Sequence, residues 1–156
     1  MKKLLLIFFV ICLPFTKSIA QEASWHTDMK KASDIAIKEG KPILMFFTGS
    51  DWCGWCKRLQ AEVFDTPDFE KWAKENVILM ELDFPRRTAQ SQEIKNQNYQ
   101  LQSIFKVRGY PTIHFVNPQV KPDGKINFNG LGQTGYVRGG SKKWLEVADN
   151  IINKQT

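Results

Sequence analysis

Residues 46–57 spell FFTGSDWCGWCK, and this stretch decides the fold. The apolar run at 43–47 leads into it, and a short continuous apolar run predicts a strand buried on both faces. A turn at 48–51 follows, and 53–63 has no glycine or proline after Gly54, which predicts a helix. The two cysteines therefore lie where a buried strand gives way to a helix.

That position gives the cysteine pair its chemistry. Cys53 stands at the start of the helix, where free backbone N–H groups and the positive end of the helix dipole favour a thiolate. The thiolate is the nucleophile in thiol–disulfide exchange, so a lowered pKa would make it available at neutral pH. Cys56 follows about one helical turn later on nearly the same face, where it can attack a mixed disulfide at Cys53. We therefore expect Cys53 to attack and Cys56 to resolve.

Residues 1–20 have the three parts of a secretory signal peptide. A positive region at 2–3 precedes an apolar run at 4–13, which is too short to be a stable membrane anchor, and small residues lead up to Ala20. Cleavage after Ala20 would leave 21–156 as a single domain in the periplasm or another extracytoplasmic space. Three lysines leave with the leader, so the net charge falls from +6 to +3, with 19 basic residues against 16 acidic. A small charge without a basic cluster does not favour nucleic-acid binding.

The cysteine count favours redox chemistry over two alternatives. The chain has three cysteines, and Cys12 would be removed with the leader. A zinc site of four cysteines needs a second pair, and a covalent haem site needs histidine where Lys57 stands. A Cys53–Cys56 bridge closes a very small loop, so it restricts the unfolded chain little and does not explain the pair as a structural staple. We expect no metal and no organic cofactor, because the pair itself carries two electrons.

The rest of the chain alternates helices and strands. Helices are predicted at Trp25 to Glu39, Thr66 to about Asn76, Glu93 to Phe105, and from Ser141 onward, with strands at 77–83, 112–116 and 126–128. Turn residues predict loops at Asn117 to Lys125 and at Gly130 to Gly140. The candidate inward residues of the third of these helices are Ile94, Tyr99, Leu101, Ile104 and Phe105. This order predicts an α/β fold with a central mixed β-sheet flanked by helices, beginning with an N-terminal helix.

The 46–57 segment resembles the active-site segment of the thioredoxin superfamily, and more narrowly that of exported bacterial thioredoxin-like proteins. The segment Val107-Arg108-Gly109-Tyr110-Pro111-Thr112, well beyond the cysteine pair, is similar to the second signature of the family. The resemblance implies that 21–156 is a thioredoxin-like domain with the thioredoxin fold, in which Pro111 is cis and faces the cysteines. It also implies that the Tyr110 backbone pairs with a bound substrate chain as an added strand. The residues expected to position substrate are Trp52, Gly54, Trp55, Tyr110 and Pro111.

The sequence differs from thioredoxin in the residues thought to help the resolving cysteine lose its proton. Thioredoxin has a buried carboxylate in the strand before its cysteines, thought to help move that proton, whereas 43–47 holds no acid. The partner lysine of the next strand is missing from the apolar segment 77–80 as well. Glu81 and Asp83 are the closest acids, and the sequence alone does not place them beside Cys56.

Several neighbours of the motif allow two interpretations. Trp55, in place of the proline of thioredoxin, should be partly exposed, either as an apolar contact for partners or packed over the active-site helix. Trp52 is expected to pack locally. Lys57 and Arg58 either lower the pKa of Cys53 or form a solvated helix face. His114 is expected to be a packed strand residue rather than a catalytic one.

Two classes of function fit these features. The first is an exported, monomeric thiol–disulfide oxidoreductase that reduces protein disulfides and is reset by a membrane redox partner. The second is a binding module that holds a client protein or Cu(I) between two thiolates, with little turnover. Within the enzyme class a net oxidase or an isomerase stays open, although isomerases usually need a dimer and no dimerisation segment is visible.

Overall fold

The computed structural model describes residues 24–154, so the predicted signal peptide with Cys12 lies outside the described residues. The elements in chain order are β1 (Trp25–His26), α1 (Met29–Glu39), β2 (Ile43–Thr48), α2 (Gly54–Leu59), a π-helical turn (Gln60–Phe64), α3 (Pro67–Asn76), β3 (Ile78–Asp83), α4 (Gln92–Ile104), β4 (Thr112–Val120), β5 (Ile126–Thr134) and α5 (Gly140–Ile152). Within the described part of the chain, no helix has both the length and the apolar character that a membrane span requires.

The strands form one mixed sheet in the order β1-β3-β2-β4-β5. β1, β3 and β2 run parallel to one another, whereas β4 runs antiparallel to both β2 and β5. β2 lies at the centre, and all six of its residues are buried. Its continuous apolar sequence is explained by cover on both faces. The predicted mixed sheet flanked by helices, which is the thioredoxin fold, is confirmed.

Alternation along β2 divides the core into two layers. Leu44 and Phe46 point to the side covered by α2, α3 and α5, and Cys56 is buried in that layer. Ile43, Met45 and Phe47 pack on the opposite side, against α1 and α4. Full burial of one such apolar side chain contributes about 1.5–3 kcal/mol. The cysteine pair is therefore part of a core layer.

The first helix begins later than the sequence predicted. A helix was expected from Trp25, but Trp25 lies in β1, and its ring packs against Phe46 and Phe64 with centroids 5.8 and 5.3 Å away. The helix starts only after Asp28, whose side chain accepts the backbone N–H of Lys31 at 3.0 Å and caps α1. Because burial of an aromatic ring outweighs a weak helical preference, the segment before the cap is extended.

The β4–β5 hairpin is longer than predicted. The strands were expected to end at Val116 and Phe128, but β4 continues through Val120 and β5 through Thr134. The predicted loop at 117–125 is therefore only a short turn, and the predicted loop at 130–140 is strand in its first part. Pro118 fits inside β4 because β2 pairs with β4 only as far as Val116. Beyond Val116 β4 is an edge strand on that side, and a residue without a backbone N–H is tolerated there.

The inward face of α4 also differs from the prediction. Of the expected residues, Leu101 is buried, but Tyr99 and Ile104 are exposed. Asn98 is buried instead, and its side-chain amide donates to the backbone oxygen of Asp83 at 2.9 Å. Asn98 can occupy a buried position because its side chain satisfies the backbone carbonyl of Asp83 at the end of β3. A pattern of apolar residues does not predict such a polar contact.

Candidate active site

The cysteine pair lies at the start of α2 as a disulfide, with an S–S distance of 2.09 Å. Cys53 is the N-cap residue, and the backbone N–H of Cys56 donates to its Sγ at 3.2 Å. The helix therefore begins around the Cys53 sulfur, as the sequence predicted. Cys53 is 5% exposed, whereas Cys56 is fully buried. Cys53 is thus the more exposed residue of the pair.

The turn before the pair is held by β3. The backbone N–H of Cys53 donates to the Gly49 oxygen at 2.7 Å, which closes the turn. Ser50 donates to the Asp83 carboxylate twice, from its backbone N–H at 2.8 Å and from its hydroxyl at 2.6 Å. Gly49 has to be glycine, because a Cβ there would collide with the ring of Trp52. Asp83, which the sequence left unplaced, therefore anchors the active-site turn.

The second signature meets the cysteine motif through aromatic rings. The Tyr110–Pro111 peptide is cis, as the resemblance implied. The Tyr110 ring packs edge-on against Trp52, with centroids 5.7 Å apart, and against Phe84 at 5.2 Å. Its hydroxyl accepts a hydrogen bond from the Gln102 side chain at 2.5 Å. Burial raises the pKa of Tyr110 to about 12, so this hydroxyl stays neutral and fixes the loop rather than moving protons.

Asp51 ties the motif to the loop after β3, a role that sequence reasoning missed. Its carboxylate accepts three consecutive backbone N–H groups, from Arg86 at 3.1 Å, Arg87 at 2.6 Å and Thr88 at 3.2 Å. The N–H of Arg86, with those of Arg87 and Thr88, holds the pKa of Asp51 below its ordinary value. Spacing gives no hint of this contact, because its partners are far apart along the chain.

Trp52 packs locally, as expected, and joins the same loop. Its indole N–H donates to the Phe84 oxygen at 2.9 Å. The Arg86 guanidinium lies 3.9 Å from the centre of its ring. About 36% of the Trp52 side chain stays exposed. Trp52, the residue before Cys53, therefore presents an aromatic surface with a cation stacked on it.

Trp55, two residues after Cys53, is both packed and exposed, and its partial exposure agrees with the expectation. Its ring packs against Tyr136, with centroids 5.2 Å apart, yet the residue is 52% exposed. Arg58 lies 5.5 Å from both rings, and Glu62 accepts its Nε–H at 2.6 Å. Arg58 is therefore an ion-paired surface residue. Between the two tryptophans Gly54 leaves open space, since a Cβ there would meet nothing within 4 Å.

Glu81 lies on the sheet face that the active-site helix covers. It is in register with Phe46 and follows Leu79 by two residues, and both belong to the core layer that contains Cys56. Burial, with the nearby charge of Asp83 adding to it, raises the pKa of the Glu81 carboxyl above its ordinary value. An acid therefore lies in β3 on the same face as the resolving cysteine, although β2 holds none.

His114 belongs to the opposite core layer and is remote from the chemistry. It packs against Phe47 and Phe105, with ring centroids 5.9 and 5.0 Å away. Burial lowers its pKa, so its neutral form predominates at neutral pH. This agrees with the expectation of a packed strand residue. Across residues 24–154, no three or more histidine, cysteine or acidic side chains form a group that could hold a metal ion.

Fold and site together define a class of protein: a thioredoxin-fold domain whose redox group is its own pair of cysteines at a helix start. The sequence profile of the thioredoxin-like domain family matches residues 29–137. The chain belongs to this thioredoxin-like domain family.

Known proteins of similar sequence and structure act on disulfides. The chain is 31% identical over 122 residues to the disulfide bond reductase DsbH of Chlamydia pneumoniae, covering 78% of this chain and 74% of that protein. A solved structure of a DsbH oxidoreductase superposes with a TM-score of 0.74 at 28% identity, covering 90% of this chain and 92% of that one. A thioredoxin from Thermus thermophilus, with a TM-score of 0.61 at 16% identity and coverage of 86% and 90%, shares the fold. The protein is therefore a thiol–disulfide oxidoreductase.

Proposed function

We propose that this oxidoreductase is an exported reductant of protein disulfides, with Cys53 as the nucleophile and Cys56 as the resolving cysteine. One observation carries the assignment of roles: Cys53 keeps 5% of its surface exposed, whereas Cys56 is fully buried. The direction of electron flow is supported by the 31% identical relative, which is a disulfide bond reductase. Export is supported by the signal-peptide pattern of residues 1–20.

The reaction needs two thiol–disulfide exchanges. In the reduced enzyme the Cys53 thiolate attacks one sulfur of the substrate disulfide, which forms a mixed disulfide and expels the other substrate sulfur as a thiolate. Cys56 then loses its proton and attacks the Cys53 sulfur, which reforms the enzyme disulfide and releases the second substrate thiolate. The substrate gains two electrons and two protons, and the enzyme supplies both electrons.

The surface around Cys53 would position the substrate. Trp52 and Trp55 flank the approach, and Gly54 leaves it open. The backbone of Tyr110, held by the cis bond to Pro111, would pair with the substrate chain as an added strand. Because the enzyme leaves each cycle oxidised, a membrane redox partner outside the cytoplasm would return electrons to it.

Two cysteine variants test the roles. Cys53→Ser should reduce a disulfide-bonded protein substrate no faster than the uncatalysed reaction, because the accessible nucleophile is gone. Cys56→Ser should accumulate a mixed disulfide with the substrate through Cys53, visible as a mass adduct that a small thiol removes. Thermal melting of both variants controls for folding.

Other outcomes would contradict the proposal. Exchange that persists in Cys53→Ser, or an adduct that forms through Cys56 in preference to Cys53, would overturn the assigned roles. If the unaltered protein bound clients or Cu(I) stoichiometrically and catalytic amounts did not speed disulfide reduction, a binding module would be the better description.

A further inference from the structure

A polar pocket of about 290 Å³ lies between the loop after β3 and the first turns of α4. Its walls include the rings of Phe84 and Tyr99 and two cations, Arg86 and Lys95, but no acidic residue. Glu93, in the first turn of α4, does not line it. The pocket therefore combines aromatic walls with charge of one sign, which is positive.

The two cations have no acidic partner in the described part of the chain. No carboxylate of residues 24–154 lies within ion-pair distance of Arg86 or Lys95. The guanidinium of Arg86 stacks on the Trp52 ring, which leaves its N–H groups free to donate. The carboxylate that contacts this loop, that of Asp51 in the turn before Cys53, accepts three of its backbone N–H groups and, among the described residues, no side-chain cation. Positive charge is thus available for an anion from outside the chain.

The pocket is fixed in position relative to the nucleophile. Its loop is held by Asp51 and by the Trp52 indole, and both residues directly precede Cys53. Phe84, which lines the pocket, packs 5.2 Å from the ring of Tyr110. A polypeptide paired with the Tyr110 backbone would therefore pass beside the pocket. A preorganised site costs little conformational entropy to occupy.

We propose that this pocket, the Arg86–Lys95 subsite, binds an acidic side chain of the substrate polypeptide, a few residues from the cysteine that Cys53 attacks. The inference rests on the proposed reduction of protein disulfides and adds a preference among substrates. Arg86 offers a planar donor fork that suits a carboxylate, and Lys95 adds a second positive charge. A lysine at the same place in the substrate would be repelled.

Three synthetic peptides test the subsite. Each contains one internal disulfide, and they differ at a single position near one cysteine, which is Glu, Gln or Lys. The measurement is the second-order rate constant for their reduction by the reduced, full-length mature protein. We expect the Glu peptide to react about five-fold faster than the Gln peptide at low salt, and the Lys peptide to be slowest. The advantage should shrink toward one at about 1 M salt.

Matched charge variants localise the effect. Lys95→Gln and Arg86→Gln should each bring the Glu-to-Gln rate ratio toward one. Lys121→Gln removes the same charge from the β4–β5 turn, at the far end of the hairpin from Thr112, and should keep the ratio. Lys95 is exposed and it is Arg86 that stacks on the Trp52 ring, so the Lys95 variant is informative even if Arg86→Gln disturbs the indole.

The outcomes separate the subsite from the reaction itself. If the unaltered protein reduces all three peptides at the same rate, the subsite is wrong while the proposed reduction stands. A ratio that survives in Lys95→Gln and Arg86→Gln, or that falls equally in Lys121→Gln, also overturns it, because overall charge would then explain the preference. If no peptide is reduced, the proposed function itself fails.

Discussion

At the scale of single residues, Glu81 is an acid whose charged form is disfavoured by its surroundings. It lies in β3 beside Phe46, on a face otherwise occupied by apolar side chains and the buried Cys56. Burial opposes its ionisation, and Asp83 adds like charge two residues away. A group of this kind costs stability when charged, so an apolar or neutral residue would suit the fold better. Its presence is explained if the resolving cysteine benefits from a nearby proton acceptor.

Glu81→Gln should make the protein more stable at pH 7 and leave it unchanged near pH 4. The pKa of Glu81 is raised in the folded state, so its contribution to stability is complete below the ordinary pKa of 4.5. That contribution is lost as the pH rises through the folded-state pKa, whereas glutamine never ionises. Urea unfolding of both proteins at the two pH values measures the difference.

A surface acid provides the control for this prediction. Glu75→Gln changes an exposed acid on α3 and should give no comparable gain at pH 7. A Glu81→Gln protein less stable than its parent at pH 7 would contradict the argument. If the stabilised variant also exchanges disulfides more slowly, the Glu81 carboxyl contributes to the reaction of Cys56 and not to the stability of the fold.

At the scale of elements, the sequence predicts what depends on local pattern and misses what depends on partners. The apolar run of β2, the start of α3 at Thr66 and the helix after Cys53 follow from neighbouring residues alone. β1 escapes prediction because contacts with distant residues, the pairing with β3 and the packing of the Trp25 ring, hold its two residues extended. The π-helical turn Gln60–Phe64 likewise escapes, since a helical pattern does not reveal one extra residue in a turn.

The contact between β5 and α5 depends on a missing side chain at Gly132. A Cβ there would lie 2.9 Å from Cγ2 of Ile151, so one of the two would have to shift, and the φ of +158° at Gly132 is one that residues with a Cβ rarely adopt. Gly132→Ala should therefore lower the free energy of unfolding by about 1–3 kcal/mol, as overpacking in a core does. Urea unfolding with an unchanged slope would measure the loss.

The same strand supplies the matched control. A Cβ at Gly130 would meet nothing within 4 Å, so Gly130→Ala should change the free energy of unfolding by less than about 0.5 kcal/mol. Equal losses in the two variants would mean that the strand tolerates alanine poorly for reasons other than Ile151. Disulfide reduction should be retained in both, because the two glycines pair with Val116 and Phe115 of β4 and neither is a residue of the cysteine motif or of the second signature.

At the scale of the whole molecule, part of the active site could be predicted from the sequence and part could not. The Cys53–Cys56 pair could be expected from its spacing and the cis bond before Pro111 from the family resemblance, and the structure contains the disulfide and the cis bond. The contacts that hold them, from Asp51 to the loop at 86–88 and from Asp83 to the turn before the cysteines, join segments that are distant in the sequence. No periodicity encodes such contacts, so only the folded chain shows how the approach to Cys53 is built.

The direction of electron flow is also a property of the whole molecule, because it depends on which redox state the fold stabilises. A thermodynamic cycle links the reduction potential to stability. Expressed as a free energy, the difference in reduction potential between the folded and the unfolded chain equals the difference in unfolding free energy between the oxidised and the reduced protein. An oxidant near ~−120 mV owes that value to a stabilised reduced form, whereas a reductant of the thioredoxin kind lies near ~−270 mV. The gap of roughly 150 mV corresponds to about 7 kcal/mol, since about 30 mV is about 1.4 kcal/mol for two electrons.

We therefore expect the oxidised protein to be at least as stable as the reduced protein, with a reduction potential near ~−270 mV. Urea unfolding with and without excess reductant gives the stability difference, and equilibration in thiol–disulfide buffers gives the potential. Cys56→Ser, which cannot form the internal bond, controls for effects of the buffer and should unfold alike in both. A reduced form more stable by several kcal/mol, with a potential near ~−120 mV, would reverse the proposed direction and make the protein an oxidant. Because the cycle requires the two measurements to agree whichever direction holds, a disagreement would show that one of them was not made at equilibrium.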